Sequence, residues 1–161
     1  MNKPFYAAFL LAGASLGLAS CGGQQEEAAP VADADIIEGI EVSEARLILP
    51  AVAGNPAAIY FELENKGDRN IAFRSAEVGN AARAEVHDMM EWDGEMVMGE
   101  APPVMVERGG SVSFEPGGKH IMAFELEEGF SEGDTTKVTL IAAGSRRHSF
   151  DAVAQAAGDD R

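Results

Sequence analysis

The chain of 161 residues carries 12 Lys and Arg against 27 Asp and Glu, a formal charge of −15, with 46% of its residues apolar. That length suits one domain of ordinary size, and the charge repels phosphate backbones, so nucleic-acid binding is excluded. With one Cys in the whole chain, internal disulfides, paired-thiol centres and Cys-rich zinc sites are excluded as well, and metal chemistry must run on His, Met, Asp or Glu.

Residues 1–20 place Lys3 ahead of an apolar run from Phe5 to Leu18. The run is short for a bilayer, which takes about 20 residues, and has the outline of a secretory signal. It ends in Leu18-Ala19-Ser20-Cys21, which resembles the lipobox of bacterial lipoproteins. That resemblance implies cleavage before Cys21 and acylation of its thiol and new amino group. Each buried CH2 of such chains adds about 0.8 kcal/mol of membrane affinity. Gly22 stands where an Asp commonly marks retention in the inner membrane, so a periplasmic protein held to the outer membrane is the favoured reading. Residues 21–38 are then the lipidated Cys and a flexible tether of Gly, Gln, Ala and acidic residues. Residues 152–161 read as a disordered tail.

Between these ends, 39–151, short alternating or β-rich runs recur with turn chemistry between them. The expected strands are 41–49, 57–64, 71–78, 83–91, 95–99, 104–107, 111–114, 120–126, 137–142 and 146–150. Asn65-Lys66-Gly67-Asp68, Asp93-Gly94, Gly109-Gly110, Pro116-Gly117-Gly118 and Glu132-Gly133-Asp134 supply the turns. No stretch sustains a helical period, and the spacing predicts an all-β domain, an antiparallel Greek-key β-sandwich.

Six of the seven Met residues, and two of the three His, lie between His87 and Met122. Thioethers fill irregular cores readily, so packing is the first explanation for each of them. Strand period adds a second one, since residues two apart share a face. His87 therefore points with Met89, Met96 with Met98, and His120 with Met122, and Asp93-Gly94 is a hairpin signal joining the strand of His87 to that of Met98. Imidazole beside thioether is a poor core choice, because a buried His needs a hydrogen-bond partner that Met supplies badly. Metal ligation resolves the conflict. Neutral, soft sulfur with nitrogen suits Cu(I) and not Mg²⁺ or Ca²⁺, and a blue-copper site is excluded because its thiolate is missing.

The order His87, Met98, His120, Met122, with ten, twenty-one and one residues between them, resembles the ligand motif of the periplasmic copper chaperone family PCu(A)C. The likeness extends over roughly 40–150 and includes Ala57-Ala58-Ile59-Tyr60, Glu64-Asn65-Lys66-Gly67, Pro116-Gly117-Gly118-Lys119-His120 and Glu132-Gly133-Asp134. It implies a cupredoxin-like β-sandwich that binds one Cu(I) through those four side chains. It also implies delivery to the CuA-bearing subunit of cytochrome c oxidase, with a second copper or thiol chaperone as a further partner. Family members with a His- and Met-rich tail take further copper, whereas this chain ends in Gln-Ala-Ala-Gly-Asp-Asp-Arg.

Met89 reads either as a reserve metal ligand or as a lining residue, Met90 and Met105 as packing, and Trp92 as a shield over the site or a rim aromatic. His148 reads as a solvent-facing strand residue. Asp88, Glu91, Asp93 and Glu95 form an acidic border, either a solvated face or a field that attracts a cation or basic partner. No catalytic motif is present, so the chain reads as a monomeric, non-enzymatic protein. The competing functions are a structural or adhesion lipoprotein and a copper storage or tolerance protein.

Overall fold

The computed structural model describes residues 35–158. The signal sequence, Cys21 and the tether up to residue 34 lie outside the described residues, as do 159–161. Ten strands follow in chain order: β1 (Ile40–Ile48), β2 (Ala57–Asn65), β3 (Ile71–Val78), β4 (Ala81–Trp92), β5 (Glu95–Glu100), β6 (Val104–Val106), β7 (Ser111–Phe114), β8 (His120–Leu126), β9 (Thr135–Ala142) and β10 (Arg147–Gln155). Each predicted run is a strand, and no helix occurs among the described residues.

Alternation explains the strands. In β2, Ala57, Ile59, Phe61 and Leu63 are buried while Ala58, Tyr60, Glu62 and Glu64 are not, so one face packs and the other meets water. The hydrogen-bonded order is β5-β4-β8-β2-β1-β10-β9-β3-β6, with β7 also paired to β2. Although consecutive, β3 and β4 touch without hydrogen bonding to each other. The Gly79-Asn80 corner thus carries the chain between layers. Phe61 stacks on its cross-strand partner Phe114 with ring centroids 4.1 Å apart and meets Phe150 at 4.9 Å, a gain of about 0.5–1.5 kcal/mol per pair beyond area burial. Buried Asn65 pins the β2 corner: its amide donates to the carbonyls of Arg69 and Val106 and accepts from the Gly67 N–H. Gly39 crosses that corner so closely, at φ 81°, that a Cβ would sit 2.6 Å from the Gly67 backbone.

Three expectations need correction. The sheet is not wholly antiparallel, because β1 and β10 pair in parallel, Leu47 opposite Ala154. A parallel pair needs a long crossover, and here nearly the whole domain serves as one. Second, the tail does not begin at 152, because β10 continues to Gln155 with Ala152 fully buried. Alternating Ala carries little hydrophobic or β signal, so only the partner strands reveal this segment. Third, the end of the presumed tether is docked: the Asp35 carbonyl accepts the Ser149 N–H at 2.7 Å, and Ile37 joins the core.

Candidate metal centre

β4, β5 and β8 lie side by side, with β4 between the other two. The β4–β5 hairpin turns on Asp93 and Gly94, both left-handed with φ of 53° and 80°, as a two-residue loop of the predicted kind requires. Register then sets the site. His87 faces His120 and Glu85 faces Met122 across β4 and β8, while Met89 faces Met98 and Glu91 faces Met96 across β4 and β5. Directly opposed side chains project to the same face. His87, Met98, His120 and Met122 consequently share one face, together with Met89 and Met96. Val86, Ile121 and Ala123 point the other way and are buried.

Burial is graded across this face. His120 is 7% exposed and the His87 side chain 14%, with ring centroids 5.9 Å apart, whereas Met98 on the edge strand is 50% exposed. His120 is delivered by the turn that precedes β8, which Glu115 closes by donating its N–H to the Lys119 carbonyl at 2.8 Å. The Gly118 carbonyl lies 2.9 Å from His120 Nδ1. His87 Nε2 lies 3.0 Å from Glu85 Oε2, and His87 Nδ1 is buried with no hydrogen-bond partner. An unmet polar atom of this kind costs about 1–3 kcal/mol. The hydrogen bond from His87 holds the Glu85 carboxyl below the usual carboxylate range; desolvation opposes this and the Arg83 charge adds to it. Arg83 also bonds Glu85 directly and lies over the Phe124 ring, 3.9 Å from its centroid.

Among the described residues, no three His, Cys, Asp or Glu side chains gather as a metal site. A metal held on this face would therefore need Met sulfur beside the two imidazoles, a soft donor set. A surface groove of about 590 Å³ is lined by Gly39, Lys66, Arg69 and Arg146 among others and shares no residue with the imidazole face.

Several secondary readings change. Met90 and Met105 are not core packing, since both are exposed. Trp92 is 78% exposed and alternates to the face opposite His87, so it does not shield the imidazoles. Asp88 leaves the open acidic border, because Lys119 meets its carboxylate at 2.8 Å and ties β4 to the turn before His120. His148 is buried, and the Ile37 N–H donates to its Nδ1 at 3.1 Å. Tyr60, which the sequence reading passed over as a site residue, lies beside His120 with ring centroids 6.3 Å apart and under the Arg46 guanidinium. Its sequence signals were its outward position on β2 and its place in the Ala57-Ala58-Ile59-Tyr60 segment of the family likeness.

The family model for LpqE-like lipoproteins matches residues 40–154. No curated protein matches the chain by sequence. Among solved structures, the apo PCuAC domain from PmoF1 is 21% identical, with a TM-score of 0.63, covering 74% of this chain and 96% of that one. The copper-bound PCuAC domain from PmoF2 is 17% identical, with a TM-score of 0.60 and coverage of 74% and 95%. The Cu(I) form of DR1885 from Deinococcus radiodurans, a solution structure, is 22% identical, with a TM-score of 0.61 and coverage of 81% and 87%. These likenesses establish the fold as the cupredoxin-like β fold of PCuAC domains.

Proposed function

Because this chain belongs to the LpqE-like family and has the fold of PCuAC domains, we propose that it is a periplasm-facing copper chaperone. It binds one Cu(I) through His87, Met98, His120 and Met122 and gives it up to the CuA-bearing subunit of cytochrome c oxidase. The observation that carries this reading is the shared face: two His-x-Met pairs and a cross-strand Met converge where no hard-ligand cluster competes. Copper-bound and Cu(I) forms exist among the PCuAC-domain structures of like fold, which supports copper as the cargo.

The chemistry follows from the donors. Thioether and imidazole are neutral, so the bound ion keeps its charge and is held less tightly than by thiolates. A CuA site with two bridging Cys thiolates is the stronger soft acceptor, and copper moves down that gradient. Met98, half exposed on the edge strand, is the sulfur of the four-ligand set that is open to an incoming partner. Cys21 anchors the chain through lipid, with the outer membrane favoured by Gly22, and a family of lipoprotein type supports this assignment. The tether lets donor and membrane-embedded acceptor meet at raised effective concentration.

Titration of the mature protein with Cu(I) under reducing conditions, followed by X-ray absorption, tests the site. One equivalent bound by two nitrogens and two sulfurs is the expected result, and absence of stoichiometric uptake overturns the reading. Mixing the loaded protein with a reduced, copper-free CuA domain should transfer the metal. Retention by the donor would favour storage or tolerance. Cys21→Ser should release the protein from membranes, measured by fractionation and by loss of acyl mass.

A further inference from the structure

We propose that Glu85 is a positioning residue that presets the ring of His87, so that the two histidines bind metal through different nitrogens, His87 through Nδ1 and His120 through Nε2. The proposal deepens the copper reading and rests on it for the identity of the ligand. Its geometric basis is independent of metal. A carboxylate can only accept, so the 3.0 Å contact to Glu85 Oε2 assigns the proton of neutral His87 to Nε2. The lone pair then sits on Nδ1, the buried atom without a partner. At His120 the arrangement is reversed. The Gly118 carbonyl accepts from Nδ1–H at 2.9 Å, which leaves Nε2 bare.

Glu85 is itself held. Arg83 bonds its Oε1 and lies over the ring of Phe124, which is the cross-strand neighbour of Arg83. Residues 83, 85 and 87 share a face of β4 by period, so the chain Phe124, Arg83, Glu85, His87 is built along one strand and its partner. Both oxygens of Glu85 are thereby engaged, although its Cα partner is Met122. Glu85 acts by fixing the imidazole and supplies no hard oxygen to the metal. Partners that orient a ligating imidazole typically change metal affinity by about 10- to 100-fold when removed.

The test reads ring nitrogens by long-range ¹H–¹⁵N NMR on the full copper-free chain, beside Cu(I) competition titrations. Wild type should show His87 protonated at Nε2 and His120 protonated at Nδ1. Glu85→Gln retains an acceptor oxygen and should keep this pattern. Glu85→Leu should shift His87 alone to a tautomer mixture, leave His120 and the amide spectrum of β8 in place, and weaken Cu(I) binding about tenfold. Finding Nδ1–H on His87 in wild type overturns the proposal even if Glu85→Leu fails to fold. Unchanged tautomer and affinity in a folded Glu85→Leu chain overturn it as well. Failure of wild type to take up Cu(I) overturns the copper reading and the coordination half of the proposal, while the metal-free spectrum still decides the role of Glu85.

Discussion

His87 and His148 are both largely removed from solvent in the same β fold, yet the surroundings of their Nδ1 atoms differ. At His148 the Nδ1 lone pair is consumed, since it accepts the Ile37 N–H and docks residues 35–38 against β10. At His87 the corresponding nitrogen has no partner and lies on a face shared with His120 and the thioethers. Burial alone therefore does not distinguish a structural imidazole from a ligating one. The partner of the bare nitrogen does.

The largest expected effect separates the two histidines directly. His120→Ala or His87→Ala should lower Cu(I) affinity on the order of 100-fold or more, because a ligand is lost outright, and should leave the denaturation midpoint close to wild type. His148→Ala should do the reverse, with affinity within about twofold and stability reduced by about 1–3 kcal/mol, the cost of leaving the buried Ile37 N–H unmet. Competition titration and urea melts on the same three variants suffice. Copper loss in His148→Ala would erase the distinction.

The same contrast holds between the two faces of β8. Ile121→Ala, fully buried, should cost about 2–5 kcal/mol while the folded fraction still takes up one copper. Met122→Ala should weaken copper binding about tenfold or more with a change in stability under about 1.5 kcal/mol, since its outer face is only partly covered. Chevron or equilibrium unfolding with parallel metal titration tells them apart.

Acid gives the smallest and sharpest test. Burial pulls the His148 imidazole below its ordinary value of 6.5. Above that value both folded and unfolded chains hold it neutral, and its contribution is fully present. As pH falls below 6.5 the unfolded chain takes the proton first, so stability declines until the folded pKa is passed. The carboxyls of Glu77 and Glu85 are lowered by hydrogen bonds from Arg147 and His87. Their contributions are lost only as pH falls below about 4.5. Between these limits, His148→Gln should flatten the slope of unfolding free energy against pH relative to wild type. An unchanged slope would mean that His148 protonates freely in the fold.

Legibility differed by the kind of signal. Strands with alternating large residues, such as β2 and β8, were readable because period 2 is a property of the chain itself. The Asp93-Gly94 hairpin was equally readable, since few residues tolerate two left-handed positions in succession. The segment 152–155 was not, because its Ala residues gain their meaning only against β1. Exposed His148 was a wrong inference for a related reason: its sequence neighbours Arg146 and Arg147 are polar, and the N–H that its ring accepts comes from Ile37, 111 positions away.

By itself the sequence determined which residues pair on each strand face, His87 with Met89, Met96 with Met98 and His120 with Met122, and it determined the soft character of any metal site they form. Only the tertiary structure decided that β8 lies against β4 with His87 opposite His120, that Glu85 bonds the His87 ring, and which ring nitrogen is left bare. The reason is physical. Face and turn type are local consequences of backbone geometry, whereas strand order and register are set by how the buried faces of Val86, Ile121 and Ala123 pack into the common core.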